Sequence, residues 1–101
     1  MINVPKFLDD VKAAFRSGET QSDIQANAQK ALDVLRADVD AALESANHDD
    51  KVKIRTYLGE AQAGLYKIDL DHIHVAPIEA NAVRSDLSSQ IKAMLLSLSE
   101  P

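Results

Sequence analysis

Apolar residues recur at a helical spacing through four stretches of this chain, and that spacing most constrains its fold. The clearest stretch has steps of four, three, four and three residues and consists of Ile54, Leu58, Ala61, Leu65 and Ile68. Residues spaced in this way lie on one face of an α-helix. The sequence has only three glycines and three prolines, which disfavours a β-fold with many tight turns. We therefore expect an all-α fold.

The periodic stretches predict helices over about 5–16, 23–46, 51–73 and 77–98. Pro5 and Pro77 suit the first turn of a helix, where a missing N–H costs nothing. We expect Gly18 to end the first helix in a left-handed conformation. Ser22 and Gln25 have the spacing of a capping box at the start of the second helix.

The polar connection 47–50 is short, and short connections favour antiparallel helical hairpins. We expect Asn47 to cap the end of the second helix and Asp49 or Asp50 to cap the start of the third. The sequence thus predicts one domain over 1–101, a small antiparallel helical bundle with three long helices and a short N-terminal helix.

The predicted third helix has a second apolar face opposite its main seam. The apolar and small residues on this face are Val52, Gly59, Ala63, Tyr66, Leu70 and Ile73. A helix that is apolar on two sides expects a partner on each. Three interpretations stay open: the first helix covers this face, another chain covers it, or the third helix ends early and the pattern dissolves.

The second interpretation predicts a non-enzymatic protein–protein interaction module. Such a protein would be an inhibitor, an immunity or adaptor factor, or a homo-oligomeric structural protein. The predicted contact residues are Gly59, Ala63, Tyr66, Leu70 and Ile73. The partner would be another protein or a second copy of this chain.

One cluster has the residue types of a metal site. Asp69, His72 and His74 are potential ligands of a divalent cation and give a first alternative function. The simpler interpretation is a polar helix end, with histidines placed favourably near the negative end of the helix dipole. We expect no bound cofactor.

The charge of the chain limits other functions. Eleven basic residues are outnumbered by sixteen acidic ones, giving a net charge of -5, so we expect no nucleic-acid binding. Acidic pairs such as Asp9 with Asp10 and Asp49 with Asp50 suggest a second alternative, a decoy that imitates nucleic acid. The motifs of P-loop proteins, serine hydrolases and zinc proteases do not occur, and we expect no enzymatic activity.

A signal peptide is disfavoured by charges that interrupt the N-terminal stretch, at Lys6, Asp9, Asp10, Lys12 and Arg16. No stretch reaches the length of a membrane span. With no cysteine in the sequence, we expect a cytoplasmic protein. Small helical chains of this composition are common among accessory proteins of phages and mobile elements, which is a further expectation.

Overall fold

Four α-helices make up the regular structure of this chain. The computed structural model describes residues 1–98, which contain no strand. The helices are α1 (Val4–Ser17), α2 (Gln21–Leu43), α3 (His48–Tyr66) and α4 (Pro77–Leu98). They form a body of 43 × 20 × 19 Å. The prediction of an all-α fold with four helices is confirmed.

Side-chain oxygens satisfy backbone N–H groups in the first turns of α1 and α2. Asn3 Oδ1 accepts a hydrogen bond from Lys6 N–H at 3.0 Å, and Thr20 Oγ1 accepts one from Asp23 N–H at 3.1 Å. Because Thr20 is the cap of α2, the predicted capping role of Ser22 is wrong. The predicted start of this helix lies two residues too late.

Asn47 caps the start of α3, not the end of α2. Its Oδ1 accepts from Asp50 N–H at 2.9 Å, and the Asp50 carboxylate accepts from Asn47 N–H at 3.2 Å. This reciprocal pair is a capping box. The role predicted for Asn47 is corrected, since an asparagine between two helices can serve either one and only the backbone geometry decides.

Gly18 ends α1 in an extended conformation, with φ of -71° and ψ of 131°. The predicted left-handed cap is therefore wrong. The glycine is needed for space, because a Cβ at this position would overlap Cγ1 of the buried Ile24. The absence of a Cβ at Gly18 thus lets the turn between α1 and α2 pack directly against Ile24.

α4 packs against both α2 and α3, and α1 packs against the same two helices. Gln25 Nε2 donates to Asp86 Oδ2 at 3.0 Å, and one turn later Gln29 Nε2 donates to Gln90 Oε1 at 3.0 Å. The partners advance together along both helices, so α2 and α4 run in the same direction.

α3 and α4 run in opposite directions. Arg55, near the start of α3, donates to the carbonyl oxygen of Leu98 at 3.4 Å. Gln62, near its end, donates to Ser88 Oγ at 3.1 Å. α2 and α3 do not form one of the extensive helix–helix interfaces. They are consecutive helices, and the sequence had predicted that they pack together as a hairpin.

The core draws on all four helices. Its largest fully buried side chains include Phe15, Ile24, Leu32, Leu35, Leu58, Leu65, Leu87 and Ile91. Burying a side chain of this size contributes roughly 1.5–3 kcal/mol before the entropy of ordering is subtracted. The apolar stripes read from the sequence supply these residues.

α3 ends at Tyr66, and the predicted helix over 51–73 is wrong at its C-terminal end. The Arg84 guanidinium, from α4, donates to the carbonyl oxygens of Leu65 at 3.3 Å and Ile68 at 3.1 Å. These are carbonyls that a continuing helix would use itself. Ile68 is buried and so continues the apolar spacing past the end of the helix.

The two glycines of α3 differ in their surroundings. A Cβ at Gly64 would overlap Cδ1 of Leu8 and lie 2.9 Å from its Cδ2, because α1 crosses α3 here. A Cβ at Gly59 would have nothing within 4 Å. Of these two glycines, only Gly64 lies close to a neighbouring helix.

We expect Gly59→Ala to raise the free energy of unfolding by about 1 kcal/mol, because alanine favours the helix and meets no neighbour. Gly64→Ala gains the same propensity but must displace Leu8, so it should be less stable than Gly59→Ala by about 1–2 kcal/mol. Urea denaturation measures both. Equal stability of the two variants would contradict the close contact of α1 with α3.

Candidate functional site

The predicted contact surface divides into two parts in the structure. Gly59, Ala63 and Tyr66 lie on the exposed side of α3, and 56% of Tyr66 is accessible. α1 does not cover this side. Leu70 and Ile73 follow the end of α3 and are partly buried against the core. The prediction of a single continuous face is wrong, because it required a helix that reached residue 73.

Tyr66 has a partner within its own chain. The Arg84 guanidinium carbon lies 5.4 Å from the centre of the Tyr66 ring, within cation–π range. Arg84 also donates to Asn81 Oδ1 at 2.7 Å, while its buried Nε has no hydrogen-bond partner in the structure. These contacts tie the end of α3 to the first half of α4.

The potential metal ligands point to different partners. Asp69 Oδ1 accepts a hydrogen bond from Asp71 N–H at 2.9 Å, and His74 Nδ1 lies 3.8 Å from Glu19 Oε2. His72 has a left-handed backbone, with φ of 61°. Within residues 1–98, no group of three or more His, Cys, Asp or Glu side chains is placed to hold a metal ion.

A groove with a volume of about 530 Å³ lies at one end of the bundle. We call it the α2–α4 groove. Most of its lining comes from the C-terminal halves of α2 and α4, with one residue from the start of α3. The lining residues are Arg36, Val39, Asp40, Leu43, Lys51, Gln90, Ala93, Met94, Ser97 and Leu98.

The register between α2 and α4 explains why this groove exists. Gln90 Nε2 donates to Gln29 Oε1 at 2.8 Å, which places these residues at the same level. From that level α2 continues for fourteen residues to Leu43, whereas α4 continues for eight to Leu98. At 1.5 Å per residue, α2 extends about 9 Å past the level of Leu98, the last described residue of α4.

Beyond this level the apolar residues are incompletely covered. Val39 and Ile91 are still buried, but Leu43, Met94 and Leu98 are only partly so. These three side chains continue the core stripes of their helices past Val39 and Ile91, the last buried residues of α2 and α4. They give the groove its apolar floor.

The other end of the groove is closed by polar contacts. Arg36 Nη2 donates to Gln90 Oε1 at 2.8 Å, and Arg36 Nη1 donates to Asp33 Oδ1 at 3.3 Å. Gln90 also donates to Asp86 Oδ2 at 2.9 Å. Directional hydrogen bonds of this kind hold α2 and α4 in one register.

A second concavity, between α1 and α2, has a volume of only about 20 Å³. Beside it, Lys6 Nζ lies 2.6 Å from Asp10 Oδ2. This hydrogen bond, followed by the charge of Asp10, raises the pKa of Lys6. The site has room for about one water molecule and none for an organic ligand.

The groove residues were visible in the sequence only as members of core stripes. Leu43, Met94 and Leu98 have the same spacing as the buried residues before them. The sequence feature that could have indicated the groove is the difference in length between α2 and α4 beyond the level of Gln29 and Gln90. That signal becomes usable only once the partners and their register are known.

Comparisons with protein families, with curated proteins and with solved structures gave no match for this chain. None of the helices in residues 1–98 is both long enough and apolar enough to span a membrane. The function is therefore argued from the geometry of the groove and of the exposed side of α3.

The backbone of His72 gives a test of the α3–α4 connection. We expect His72→Gly to raise the free energy of unfolding by about 1 kcal/mol, because glycine adopts a positive φ without strain. His74→Gly, at a position without a positive φ, should give no such gain. Chemical denaturation with and without zinc measures both variants.

A zinc-dependent rise in stability of the native chain, lost in either variant, would instead support a metal site.

Proposed function

We propose that this protein is a non-enzymatic protein–protein interaction module that receives the apolar side of a partner's amphipathic helix in the α2–α4 groove. The observation that carries the proposal is the groove itself. Its volume is about 530 Å³, and its floor is formed by Leu43, Met94 and Leu98. The proposed site replaces the α3 face as the principal contact surface.

Two turns of a partner helix fit within the width of the bundle. The bundle is 20 × 19 Å across its short axes, and two turns of helix span about 11 Å. A partner helix would insert side chains spaced at i, i+3, i+4 and i+7. The volume also lies within the range of roughly 300–1,000 Å³ that is typical of ligand pockets.

The expected affinity is modest. Three or four inserted side chains gain roughly 1.5–3 kcal/mol each from burial. Association costs at least about 4 kcal/mol in lost translation and rotation. The balance is about 0.5–8 kcal/mol, so the dissociation constant is no lower than about 1 μM, and the middle of this range corresponds to about 1 mM.

The exposed side of α3 supports a second candidate surface. Val52 is 42% and Tyr66 56% accessible, and Gly59 and Ala63 lie between them. Small residues of this kind permit close approach of another helix. The surface is flat and shorter than predicted, since Leu70 and Ile73 are not part of it, and we rank it below the groove.

The proposal is tested with a synthetic amphipathic helical peptide that has leucines at i, i+3, i+4 and i+7 and glutamine at its flanking positions. We expect weak binding by isothermal titration calorimetry, with a dissociation constant between about 1 μM and about 1 mM. Ala93→Glu should weaken binding at least tenfold, because Ala93 is exposed and lines the groove. Ala82→Glu, also exposed on α4 but outside the groove lining, should leave the affinity unchanged.

Amide NMR spectra of the labelled protein locate the contact. Shifts at Leu43, Met94 and Leu98 would support the groove. Shifts confined to Gly59, Ala63 and Tyr66 would assign the function to the α3 side instead. No binding, or a dimer by light scattering that Ala93→Glu dissociates, would refute the proposed partner, and the dimer would identify a second copy as the occupant.

A further inference from the structure

Basic residues outnumber acidic ones in the lining of the α2–α4 groove, although the chain as a whole is acidic. Arg36 and Lys51 line the groove, and Arg55 donates to the carbonyl oxygen of Leu98, which also lines it. Asp40 is the acidic lining residue. The chain as a whole has eleven basic and sixteen acidic residues. Cations are thus concentrated where the proposed partner would bind.

The two walls of the groove differ in charge. The α2 wall has one charge of each sign, Arg36 and Asp40, one turn apart. Arg36 is also offset by Asp33, at 3.3 Å. The α3 side has Lys51, which forms no ion pair with any residue in 1–98, and then Arg55 one turn later. Asp49 and Asp50 precede Lys51 in the first turn of α3, and Asp50 is engaged in the capping box with Asn47. Lys51 is thus the lining cation that is open to a new partner.

We infer that the α2–α4 groove selects partner helices with carboxylates on the side that faces α3, and that Lys51 is the main determinant of this selectivity. The inference rests on the proposed function, because it specifies the chemistry of the helix that the groove receives. Glutamate or aspartate beside the apolar anchors would lie near the Lys51 ammonium, with Arg55 one turn farther along.

Local charge outweighs net charge at this distance. At physiological ionic strength the screening length is about 8 Å, so only the acidic residues near the groove, such as Asp40, Asp49 and Asp50, compete with Lys51, and those at the far end of a 43 Å body contribute little. Ion pairs at an exposed rim are individually weak. Two of them together correspond to a preference of about tenfold.

The two sources of electrostatic attraction predict opposite results. If the net charge of -5 governed recognition, a basic helix would bind better than an acidic one. If the α3 side of the groove governs it, the acidic helix binds better. A single pair of probes distinguishes these cases.

The experiment uses the full chain and two more peptides with the leucines of the glutamine probe, one with glutamate and one with lysine at the flanking positions. We expect the glutamate peptide to bind about tenfold more tightly than the lysine peptide in low salt. High salt should reduce this difference. Equal affinities, or tighter binding of the lysine peptide, would overturn the inference.

Lys51→Glu and Lys53→Glu form a matched pair of variants. Both change the net charge by the same amount in the first half of α3, but Lys53 does not line the groove. We expect Lys51→Glu to abolish the preference for the glutamate peptide and Lys53→Glu to retain it, with unchanged circular dichroism in both. The inference is overturned if the two variants behave alike.

The glutamine peptide distinguishes failure of the inferred charge selectivity from failure of the proposed function. If it binds the unaltered protein while the glutamate and lysine peptides do not differ, the inference is wrong and the proposed function stands. If none of the three peptides binds, the proposed function is wrong and the inference falls with it.

Discussion

The register between α2 and α4 is the constraint on which the rest of this structure depends. It is held by polar side chains, with Gln29 and Gln90 donating to one another at 3.0 and 2.8 Å and Arg36 donating to Gln90 at 2.8 Å. Apolar contacts tolerate sliding, whereas paired amides have one geometry that satisfies both partners. Because these bonds set the level of α4, they also set where the core stops and where the α2–α4 groove begins.

A second polar contact determines how α3 ends. Arg84 donates to carbonyl oxygens at the end of α3 and lies against the ring of Tyr66. The chain then turns, and Leu70 and Ile73 pack against the core rather than continuing an exposed face. Helical periodicity had predicted that Leu70 and Ile73 belong to the exposed face of α3. Because α3 ends at the contacts with Arg84, these two residues are not part of that face. The groove and the shortened α3 surface are both consequences of how α4 is placed.

The two surfaces differ in what they offer a partner. The groove has a concave apolar floor bordered by charges, which combines burial with electrostatic selectivity. The exposed side of α3 is narrow and offers Tyr66 as its largest side chain, which already contacts Arg84. Concavity and charge therefore favour the groove over the α3 side as the proposed contact surface.

The sequence by itself determined the all-α class, the existence of four helices and most of the core, because side chains such as Leu58 and Ile91 are placed by periodicity within their own helix. It also identified Pro5 and Pro77 as residues of first turns. Only the tertiary structure decided the direction of α4 relative to α2, the end of α3 at Tyr66 and the incomplete burial of Leu43, Met94 and Leu98. Each of these depends on contacts between residues distant in sequence, and a local pattern is the same whether or not such a contact forms.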